Sequence, residues 1–239
     1  MHDMEKMRTY LILDYLRQKK RCTLAELMRK FKVSSATIHR DVEELTRRDA
    51  VMKVRGGLVF NEIADRRPNG SDFSERIVTN RTAKTAAARK ALARIAEGDI
   101  IFLDSSTTVY ELAALLRNSD FSHLTVITNS VSIIQNFRKF PSHYTLIGLG
   151  GSFDPQLNSF LGETVFGQLA QLNITKAFFS AFGVDDKNAT TNHEHQAELI
   201  RKVMATSEHS YLIVDRSKRG RTGLHRLAPI GAFDAVFCV

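Results

Sequence analysis

Apolar residues recur at helical spacing in three successive segments at the start of the chain. They occupy residues 7–16, residues 23–31 and residues 35–45. An apolar residue at every third or fourth position predicts an amphipathic helix. Residues 51–55 then alternate as in a β-strand and lead into Gly56-Gly57, which predicts a tight turn. Three helices followed by a strand and a turn predict a winged helix-turn-helix.

Capping signals mark the starts of two of these helices. Thr23 and Glu26 have the spacing of a capping box, in which each side chain accepts a hydrogen bond from the other's backbone N–H. Ser34 is placed to cap the third helix. The turn of the motif is therefore expected at residues 33–35.

The third helix has two faces of different character. Ile38, Val42 and Leu45 form an apolar face, and the opposite face is polar and basic, which suits a DNA groove. Arg40 is expected to reach a phosphate or a guanine edge, whereas Asp41 is expected to pair with a nearby arginine. Ordinary solvated helix surface is the alternative for each contact taken singly. The predicted DNA-binding residues are Ser34, Ser35, Thr37, His39 and Arg40 on the helix and Lys53 and Arg55 on one side of the wing strand.

Positive charge is concentrated in the first quarter of the chain. Of the formal net charge of +8, residues 1–60 contribute +6, from fourteen Lys and Arg against eight Asp and Glu. A small basic unit is expected of a module that displaces counterions from a phosphate backbone. On charge alone, a basic surface that serves only solubility is the alternative.

Cysteine usage and hydropathy indicate the cellular compartment in which the protein is expected. Cys22 and Cys238 have no paired spacing, so neither a disulfide framework nor a CxxC metal knuckle is expected. The first eight residues are polar and charged, which predicts no signal peptide, and apolar runs such as residues 124–128 are too short to span a bilayer. We expect a cytoplasmic protein without a membrane partner.

The pattern changes after residue 60. Residues 61–72 are polar and include Pro68 and Gly70, which predicts a linker between a DNA-binding domain at 1–60 and a second domain at 73–239. Helix and strand patterns alternate in the second domain, which predicts an open, mainly parallel α/β sheet with helices on both faces. The predicted strands are 99–103, 124–128, 144–149, 176–182, 211–214 and 235–239, and the predicted helices are 82–96, 109–116, 131–140, 165–172 and 194–206.

Polar or glycine-rich segments follow four of the predicted strands. They are residues 104–108 (DSSTT), 128–130 (TNS), 148–151 (GLGG) and 215–218 (DRSK). Ligands bind at the carboxyl ends of strands in such sheets, where hydroxyls and free N–H groups at helix starts can hold a phosphate. Each segment alone has a structural alternative: a helix cap, a turn or a solvated lysine. Together they predict a ligand pocket.

The first region resembles the helix-turn-helix of the DeoR family of bacterial transcriptional regulators. The resemblance rests on Arg8, Ile12, Leu16, Ser34, residues 37–42 (TIHRDV) and Gly56-Gly57. The family usually has arginine where this chain has His39, so a different base contact is expected there. From about Phe73 onward the chain is similar to the family's effector domain, through Lys84, the four strand-end segments and residues 177–183.

The resemblance implies an effector domain that is like ribose-phosphate isomerase in fold and binds phosphorylated sugars. Two departures from the usual family pattern are Ser106 in place of glycine and Arg219 in place of phenylalanine, one restricting the backbone and the other adding charge. Lys84 is expected near the phosphate. The predicted effector-binding residues are Lys84, Asp104, Ser105, Ser106, Thr107, Thr108, Thr128, Asn129, Gly150, Gly151 and Lys218.

Three classes of function follow from these observations. The first is a repressor of sugar-metabolism genes that binds operator DNA as a dimer or tetramer, responds to a phosphorylated sugar and needs no cofactor or metal. The second is an isomerase-like enzyme with an accessory DNA-binding domain. Its candidate acid–base groups are Asp104, Asp185, Asp186 and residues 193–195, but those last residues (HEH) lack the HExxH spacing and no nucleophile stands beside a base. The third is a constitutive DNA-binding or scaffold protein, against which the polar strand ends count.

Overall fold

A computed structural model of the protein describes residues 2–47, 50–61 and 73–239. The chain divides into two compact units, Met1–Asn80 and Arg81–Val239. The linker expected at residues 61–72 lies outside the described residues except for Asn61.

The first unit is a three-helix cluster with a small antiparallel sheet. Its core is formed by one face of each helix together with the sheet, and includes Ile12, Leu27, Ile38 and Leu58, all essentially inaccessible to solvent. The strand order is β1-β3-β2. This arrangement confirms the winged helix-turn-helix. The elements are α1 (His2–Lys19), β1 (Arg21–Cys22), α2 (Leu24–Phe31), α3 (Ser35–Arg47), β2 (Val51–Val54), β3 (Gly57–Phe60) and α4 (Phe73–Val78).

Helix α4 belongs to this first unit although it follows the linker segment in sequence. It packs against α1, and Phe73 and Val78 are buried. Just beyond α4, the Oγ1 of Thr79 accepts a hydrogen bond of 2.8 Å from Nη1 of Arg17, whose guanidinium also lies 5.3 Å from the ring centre of Phe60. These contacts attach the segment after the linker to the helix-turn-helix.

The wing turn lies one residue earlier than the sequence pattern predicts. Val54 pairs with Gly57, so the two turn residues are Arg55 and Gly56. Gly56 has φ +87°, which glycine adopts without strain. Gly57 begins β3, where a Cβ would collide with the carbonyl oxygen of Cys22 on β1. The expectation that Arg55 continues the strand is therefore wrong, because the hairpin closes before it.

The second unit is built on a six-stranded parallel sheet with the order β14-β12-β9-β4-β5-β6. The parallel sheet predicted from the alternation is confirmed. Its strands are β4 (Ile100–Leu103), β5 (Thr125–Thr128), β6 (Thr145–Gly148), β9 (Ile174–Phe179), β12 (Ser207–Val214) and β14 (Ala235–Cys238). The helices are α5 (Arg81–Leu92), α6 (Thr107–Leu116), α7 (Val131–Asn136), α8 (Glu163–Leu169) and α9 (Glu194–Thr206), and 3-10 turns cover Phe137–Lys139, Arg216–Lys218 and Ile230–Ala232.

Alternate residues of each strand supply two separate cores. On β4, Phe102 packs into the core covered by α8 and α9, whereas Ile101 and Leu103 pack under α5, α6 and α7. Successive side chains of a strand point to opposite faces, and both faces are apolar here because helices cover both. This accounts for the short, fully apolar strand segments in the sequence.

Five short strands of the second unit were not predicted. A hairpin of β7 (Ser152–Asp154) and β8 (Ser159–Leu161) follows the end of β6. A small antiparallel sheet combines β10 (Gly183–Val184), β11 (Asn188–Thr191) and β13 (His225–Pro229). Strands of two to five residues are too short to show a period of two in sequence, so such segments resemble loops. The helix expected at 131–140 also ends earlier, at Asn136, and continues as a 3-10 turn.

Candidate functional site

The start of α3 is fixed by a serine cap. The Oγ of Ser34 accepts a hydrogen bond of 3.3 Å from the backbone N–H of Thr37, as predicted, and lies 2.9 Å from the Thr37 hydroxyl. Ser35, His39 and Arg40 are exposed, and Thr37 is half-buried. The polar side chains at the N-terminal end of α3 thus share one solvent-facing surface, while the opposite face is buried as expected.

A two-contact ion pair fixes α3 against α1. Arg8 donates from Nε to Oδ2 of Asp41 at 2.6 Å and from Nη2 to Oδ1 at 3.0 Å. The Asp41 side chain is 4% exposed. This is the arginine partner predicted for Asp41, and it directs that carboxylate away from solvent.

Helix α2 begins with the predicted capping box. The Thr23 hydroxyl accepts from the Glu26 backbone N–H at 3.1 Å, and the Glu26 carboxylate accepts from the Thr23 backbone N–H at 3.4 Å. The same carboxylate accepts from the hydroxyl of Tyr15 at 3.0 Å and forms an ion pair with Lys19. These contacts hold α2 to α1. At its other end, Lys32 adopts φ +51°, which reverses the chain toward α3.

Basic side chains surround the tip of the wing. Lys53 is exposed on β2 and Arg55 is exposed in the turn. Arg21 on β1 donates from Nη2 to the Arg55 carbonyl oxygen at 3.3 Å. Sequence reasoning did not single out Arg21, and its signal was only the basic run 19–21 that ends α1. Pairing of β1 with β3 brings it beside the wing.

In the second unit, the parallel sheet gathers the predicted strand ends along one edge. The strand order runs from β4 toward β6 in one direction and from β4 toward β14 in the other, so the topological switch point lies between β4 and β9. Ligands of open α/β sheets bind in the crevice outside the strand ends at such a point. The segments that follow β4, β5, β6 and β12 lie along this edge, as does Ser180 after β9.

Asp104 holds the two strands at the switch point together. Its Oδ2 accepts from the Ser180 backbone N–H at 2.9 Å, and its Oδ1 accepts from the Ser106 backbone N–H at 2.8 Å and from the Ser106 hydroxyl. The residue is 2% exposed. Ser106 in turn caps α6 by accepting from the Val109 backbone N–H at 3.2 Å. Both oxygens of Asp104 therefore serve the scaffold, which the sequence pattern did not predict.

The remaining hydroxyls of the DSSTT segment are buried. Ser105, Thr107 and Thr108 are 3%, 5% and 2% exposed. Thr107 and Thr108 open α6, beside the switch point. The structure therefore brings the predicted residues 104–108 together at the start of one helix.

The TNS segment after β5 is tied to its neighbours on both sides. Thr128 donates through Oγ1 to the Leu103 carbonyl oxygen at 2.6 Å, and Ser130 caps α7. Asn129 donates from Nδ2 to the Phe160 carbonyl oxygen on β8 at 3.0 Å. Its Oδ1 is buried and has no hydrogen-bond partner among the described residues. This oxygen is a polar group at the carboxyl end of β5 that the described scaffold does not use.

The two predicted glycines after β6 differ in what surrounds them. A Cβ at Gly151 would lie 2.7 Å from the Leu161 carbonyl oxygen and 2.8 Å from Cγ2 of Val165, so packing requires this glycine. A Cβ at Gly150 would meet only Nε2 of Gln168, at 4.0 Å. Gln168 donates to the Gly150 carbonyl oxygen and accepts from its N–H, at 2.9 and 3.1 Å. No local sequence pattern indicates this side-chain clamp.

Two predicted lysines lie on elements near the same edge. Lys84 is in the first turns of α5 and 4% exposed. A helix that precedes a parallel strand runs antiparallel to it, so α5 begins near the edge where the strands end. Lys218 is half-buried, with Nζ 5.9 Å from the ring centre of Phe182. Arg221, which sequence reasoning missed, places its guanidinium 4.3 Å from that ring centre.

Two of the candidate acid–base groups of the enzyme interpretation, Asp104 and Asp185, accept hydrogen bonds from backbone N–H groups. Asp185 accepts from the backbone N–H groups of Asn188 and Lys187 at 2.7 and 2.8 Å, and these bonds lower the pKa of its carboxyl. Thr191 donates to Gln196 at 2.6 Å near the start of α9.

Within residues 2–47, 50–61 and 73–239, no group of three or more His, Cys, Asp and Glu side chains could hold a metal ion. None of the described helices combines the length and apolar character needed to cross a membrane.

Comparison with known families matches both units. Residues 8–64 match the DeoR-like helix-turn-helix domain, and residues 79–238 match the DeoR C terminal sensor domain. The L-fucose operon activator of Haemophilus influenzae is 33% identical, over 96% of this chain and 90% of its own length. The glycerol-3-phosphate regulon repressor of Escherichia coli is 26% identical, over 95% of this chain and 87% of its own length.

Among solved structures, ribose 5-phosphate isomerase A from Methanocaldococcus jannaschii has a TM-score of 0.42 and 15% identity, covering 59% of this chain and 55% of that chain. A likeness at this level carries no argument about activity. The family matches span nearly the whole chain, and they agree with the winged helix-turn-helix and the parallel sheet described above. The protein belongs to the DeoR family of transcriptional regulators.

Proposed function

We propose that this protein is a cytoplasmic repressor that binds operator DNA through α3 and the wing and releases it when a phosphorylated sugar binds the second unit. The observation that carries the proposal is the single sheet edge where Lys84 and four polar or glycine-rich segments, one of which contains Lys218, lie together. Two features of this edge have no use in the described scaffold: the buried Oδ1 of Asn129, which has no hydrogen-bond partner among the described residues, and the open space beside Gly150.

The DNA contacts are assigned to the exposed surface at the start of α3. Ser35, Thr37 and His39 would meet base edges, and Arg40 would meet a guanine edge or a phosphate. Lys53 and Arg55 would contact the backbone from the wing. Ser34 would act mainly by fixing the helix start, because its Oγ is already engaged by Thr37. The protein would act as a dimer or tetramer, which lets two such helices bind two half-sites.

The effector site is assigned to the switch point. Lys84 and Lys218 would supply positive charge to a phosphate, and Thr107, Thr108 and the backbone at Gly150 would line the approach. Asp104, Thr128 and Gly151 would shape the pocket rather than contact the ligand. Asp104 and Thr128 already form hydrogen bonds to neighbouring backbone groups, and Gly151 is closely packed. Ser105 and Ser106 would complete the helix start.

Catalysis is not part of the proposal. Asp185 accepts hydrogen bonds from two backbone N–H groups, which lower the pKa of its carboxyl and make it a poor general base. Both carboxylate oxygens of Asp104 are engaged by Ser106 and Ser180. An isomerase-like enzyme would need a group within the crevice whose protonation changes near neutral pH.

For the effector to control DNA binding, it must bind the DNA-incompetent state more tightly than the competent one. Fluorescence anisotropy tests this requirement by measuring the affinity of the full-length protein for the DNA upstream of its own gene and for random DNA. The titrations would be repeated with glycerol 3-phosphate, D-ribose 5-phosphate, D-fructose 6-phosphate and inorganic phosphate. We expect the protein to bind its upstream DNA more tightly than random DNA, and one phosphosugar to release it from the upstream DNA. Binding strengthened by the sugar would contradict repression by release, and turnover of any phosphosugar would favour the enzyme.

A further inference from the structure

A loop rich in arginine and lysine follows β12. Residues 215–226 (DRSKRGRTGLHR) hold five of the twenty Lys and Arg residues that the chain has after residue 60, and their one acidic residue is Asp215. Asp215 is buried, and its Oδ1 accepts hydrogen bonds from the backbone N–H of Ser217, at 3.0 Å, and from the Ser217 hydroxyl. Arg219 and Arg221 are exposed. The loop therefore carries a local excess of positive charge at the surface.

Backbone contacts fix this loop against β10 and β11. The Gly220 N–H donates to a carbonyl oxygen of β10 at 2.9 Å, and the Gly223 N–H donates to a threonine hydroxyl of β11 at 2.8 Å. A Cβ at Gly183 would collide with the Arg221 carbonyl oxygen, so glycine is required for this close approach. The side chains of the loop therefore start from defined backbone positions.

An aromatic ring orients the guanidinium of Arg221. Its Cζ lies over the ring of Phe182, 4.3 Å from the ring centre, which is a cation–π contact. Among the described residues, the Arg221 side chain makes no hydrogen bond and no ion pair. A guanidinium over a ring keeps N–H donors at its edge, where two of them can pair with one carboxylate or phosphate. Arg221 is therefore an oriented anion-binding group.

A second cation lies beside the same ring. Nζ of Lys218 is 5.9 Å from the ring centre of Phe182. Two like charges beside one ring repel each other, and a bound anion relieves that repulsion. Because Lys218 is one of the predicted effector-binding residues, this ring connects Arg221 to the proposed effector site.

The position of Phe182 also places Arg221 near the switch point. Phe182 follows Ser180 by two residues, and the Ser180 N–H donates to Asp104 Oδ2 at 2.9 Å between β9 and β4. Two residues of backbone span at most about 7 Å. The ring of Phe182 and the guanidinium over it are therefore close to the crevice where ligands of open α/β sheets bind. This location favours a small ligand over a macromolecule as the partner of Arg221.

We propose that Arg221 forms a second anionic subsite of the effector pocket and that the effector carries two anionic groups. One is the phosphate of the proposed function. The other is a phosphate or a carboxylate, which pairs with the edge of the Arg221 guanidinium. This inference rests on the proposed function and restricts its ligand to sugars with a second acidic group, which are sugar bisphosphates and phosphorylated sugar acids.

The test measures the binding of two ligand pairs by isothermal titration calorimetry of the full-length protein. The members of each pair differ by one anionic group. D-fructose 1,6-bisphosphate has one more phosphate than D-fructose 6-phosphate, and 6-phosphogluconate has a carboxylate that D-glucose 6-phosphate lacks. The two pairs therefore distinguish a phosphate from a carboxylate as the second group.

The variants are Arg221→Ala, Phe182→Leu and a matched control, Arg138→Ala. Arg138 is exposed in the 3-10 turn that continues α7. Helix α7 follows β5 and runs antiparallel to it, so this turn lies toward the opposite edge of the sheet. The control thus removes the same charge from the same unit, away from the strand ends.

The wild type should bind the two-anion member of one pair at least about tenfold more tightly than the one-anion member, because an arginine pairs strongly with an anion. Arg221→Ala should remove most of this preference, change the affinity for the one-anion member by no more than about twofold, and keep the wild-type Tm. Phe182→Leu retains the charge but not the ring that orients it, so it should reduce the preference by a smaller factor, about threefold. Arg138→Ala should leave the preference unchanged.

Equal affinities within both pairs, with the one-anion ligands bound, would overturn the inference and leave the proposed function intact. A preference that survives Arg221→Ala, or that Arg138→Ala reduces as much, would also overturn it. Weaker binding of Arg221→Ala to the upstream DNA, with the ligand preference unchanged, would assign the arginine to DNA instead. A wild type that binds none of the four ligands would contradict the proposed function itself, and the inference with it.

Discussion

Arg8 and Asp41 join the first helix of the helix-turn-helix to the third through two parallel hydrogen bonds of 2.6 and 3.0 Å. The carboxylate is almost fully buried, and the arginine side chain is 21% exposed. A planar guanidinium meets a carboxylate at two points only in one relative orientation. The pair therefore sets the angle at which α3 presents its exposed surface.

Replacing Arg8 with alanine should destabilise the first unit by about 2–4 kcal/mol, because Asp41 would remain buried without its partner. Urea denaturation followed by circular dichroism measures the change. The double variant Arg8→Met, Asp41→Leu should regain most of the stability, since no buried charge is left unpaired. A single variant as stable as the wild type would show that the pair contributes nothing.

Arg40→Ala should weaken binding to the operator by about tenfold without a change in Tm. Arg89→Ala is the matched control, because it removes the same charge from an exposed position on α5 in the other unit. Anisotropy titrations on upstream and random DNA would separate loss of a base contact from loss of a phosphate contact. Equal weakening by both variants would indicate only a general charge effect.

His39→Arg should alter base preference, because arginine can contact guanine through two hydrogen bonds whereas histidine cannot reproduce that geometry. His39 is exposed, so the substitution should leave the fold unchanged. Selection of bound sequences from a randomised DNA pool would reveal the change. Identical preferences for the two proteins would remove His39 from the base-contacting surface.

Gly150→Ala should lower effector affinity by at least about tenfold while the protein folds normally. The added methyl group meets no protein atom closer than 4.0 Å, so it would act only on a ligand. Gly151→Ala, the neighbouring control, should instead destabilise the second unit by about 1–3 kcal/mol through its contacts with Leu161 and Val165. Thermal shift with and without phosphosugar distinguishes the two outcomes.

Asp234 makes the stability of the second unit depend on acid pH. The Ser210 backbone N–H at 2.7 Å and the His209 ring at 3.0 Å lower the pKa of its carboxyl below the ordinary value of 3.8. A lowered pKa means that the contribution is fully present above that ordinary value and is lost as the pH falls through the folded-state pKa. The side chain is 41% exposed, so solvent keeps the effect below about 1 kcal/mol.

Asp234→Asn should accordingly be slightly less stable than the wild type at pH 7 and at pH 5, and the difference should narrow below pH 4. Urea titrations at these pH values would measure it. Asp120→Asn, an exposed control, should follow the wild type at every pH. A difference that grows as the pH falls would contradict the assignment of Ser210 and His209 as the cause.

Local chemistry made the helix starts predictable from sequence. The caps at Thr23 and Ser34 depend on residues within three positions, and both are present in the structure. The parallel sheet was predictable because its strands are buried on both faces. The wing turn was misplaced by one residue, since only the pairing of Val54 with Gly57 defines the register.

The roles of residues at the sheet edge could not be read from sequence in the same way. Whether Asp104 faces a ligand or the scaffold depends on Ser180, which lies 76 residues later in the chain. The clamp of Gly150 by Gln168 joins residues 18 positions apart, so no local pattern indicates it. The sequence indicated that a site lies at the carboxyl ends of the parallel strands. It did not indicate which side chains there support the fold and which face a ligand.

The packing of α4 against α1 has a practical consequence for dissection of the protein. A DNA-binding fragment that ended at residue 60 would lose Phe73 and Val78 from its surface and the hydrogen bond between Arg17 and Thr79. A fragment extended to Asn80 would retain them. The compact unit that carries the helix-turn-helix thus extends past that motif to Asn80, and its last two residues are already the first two of the segment that matches the sensor domain.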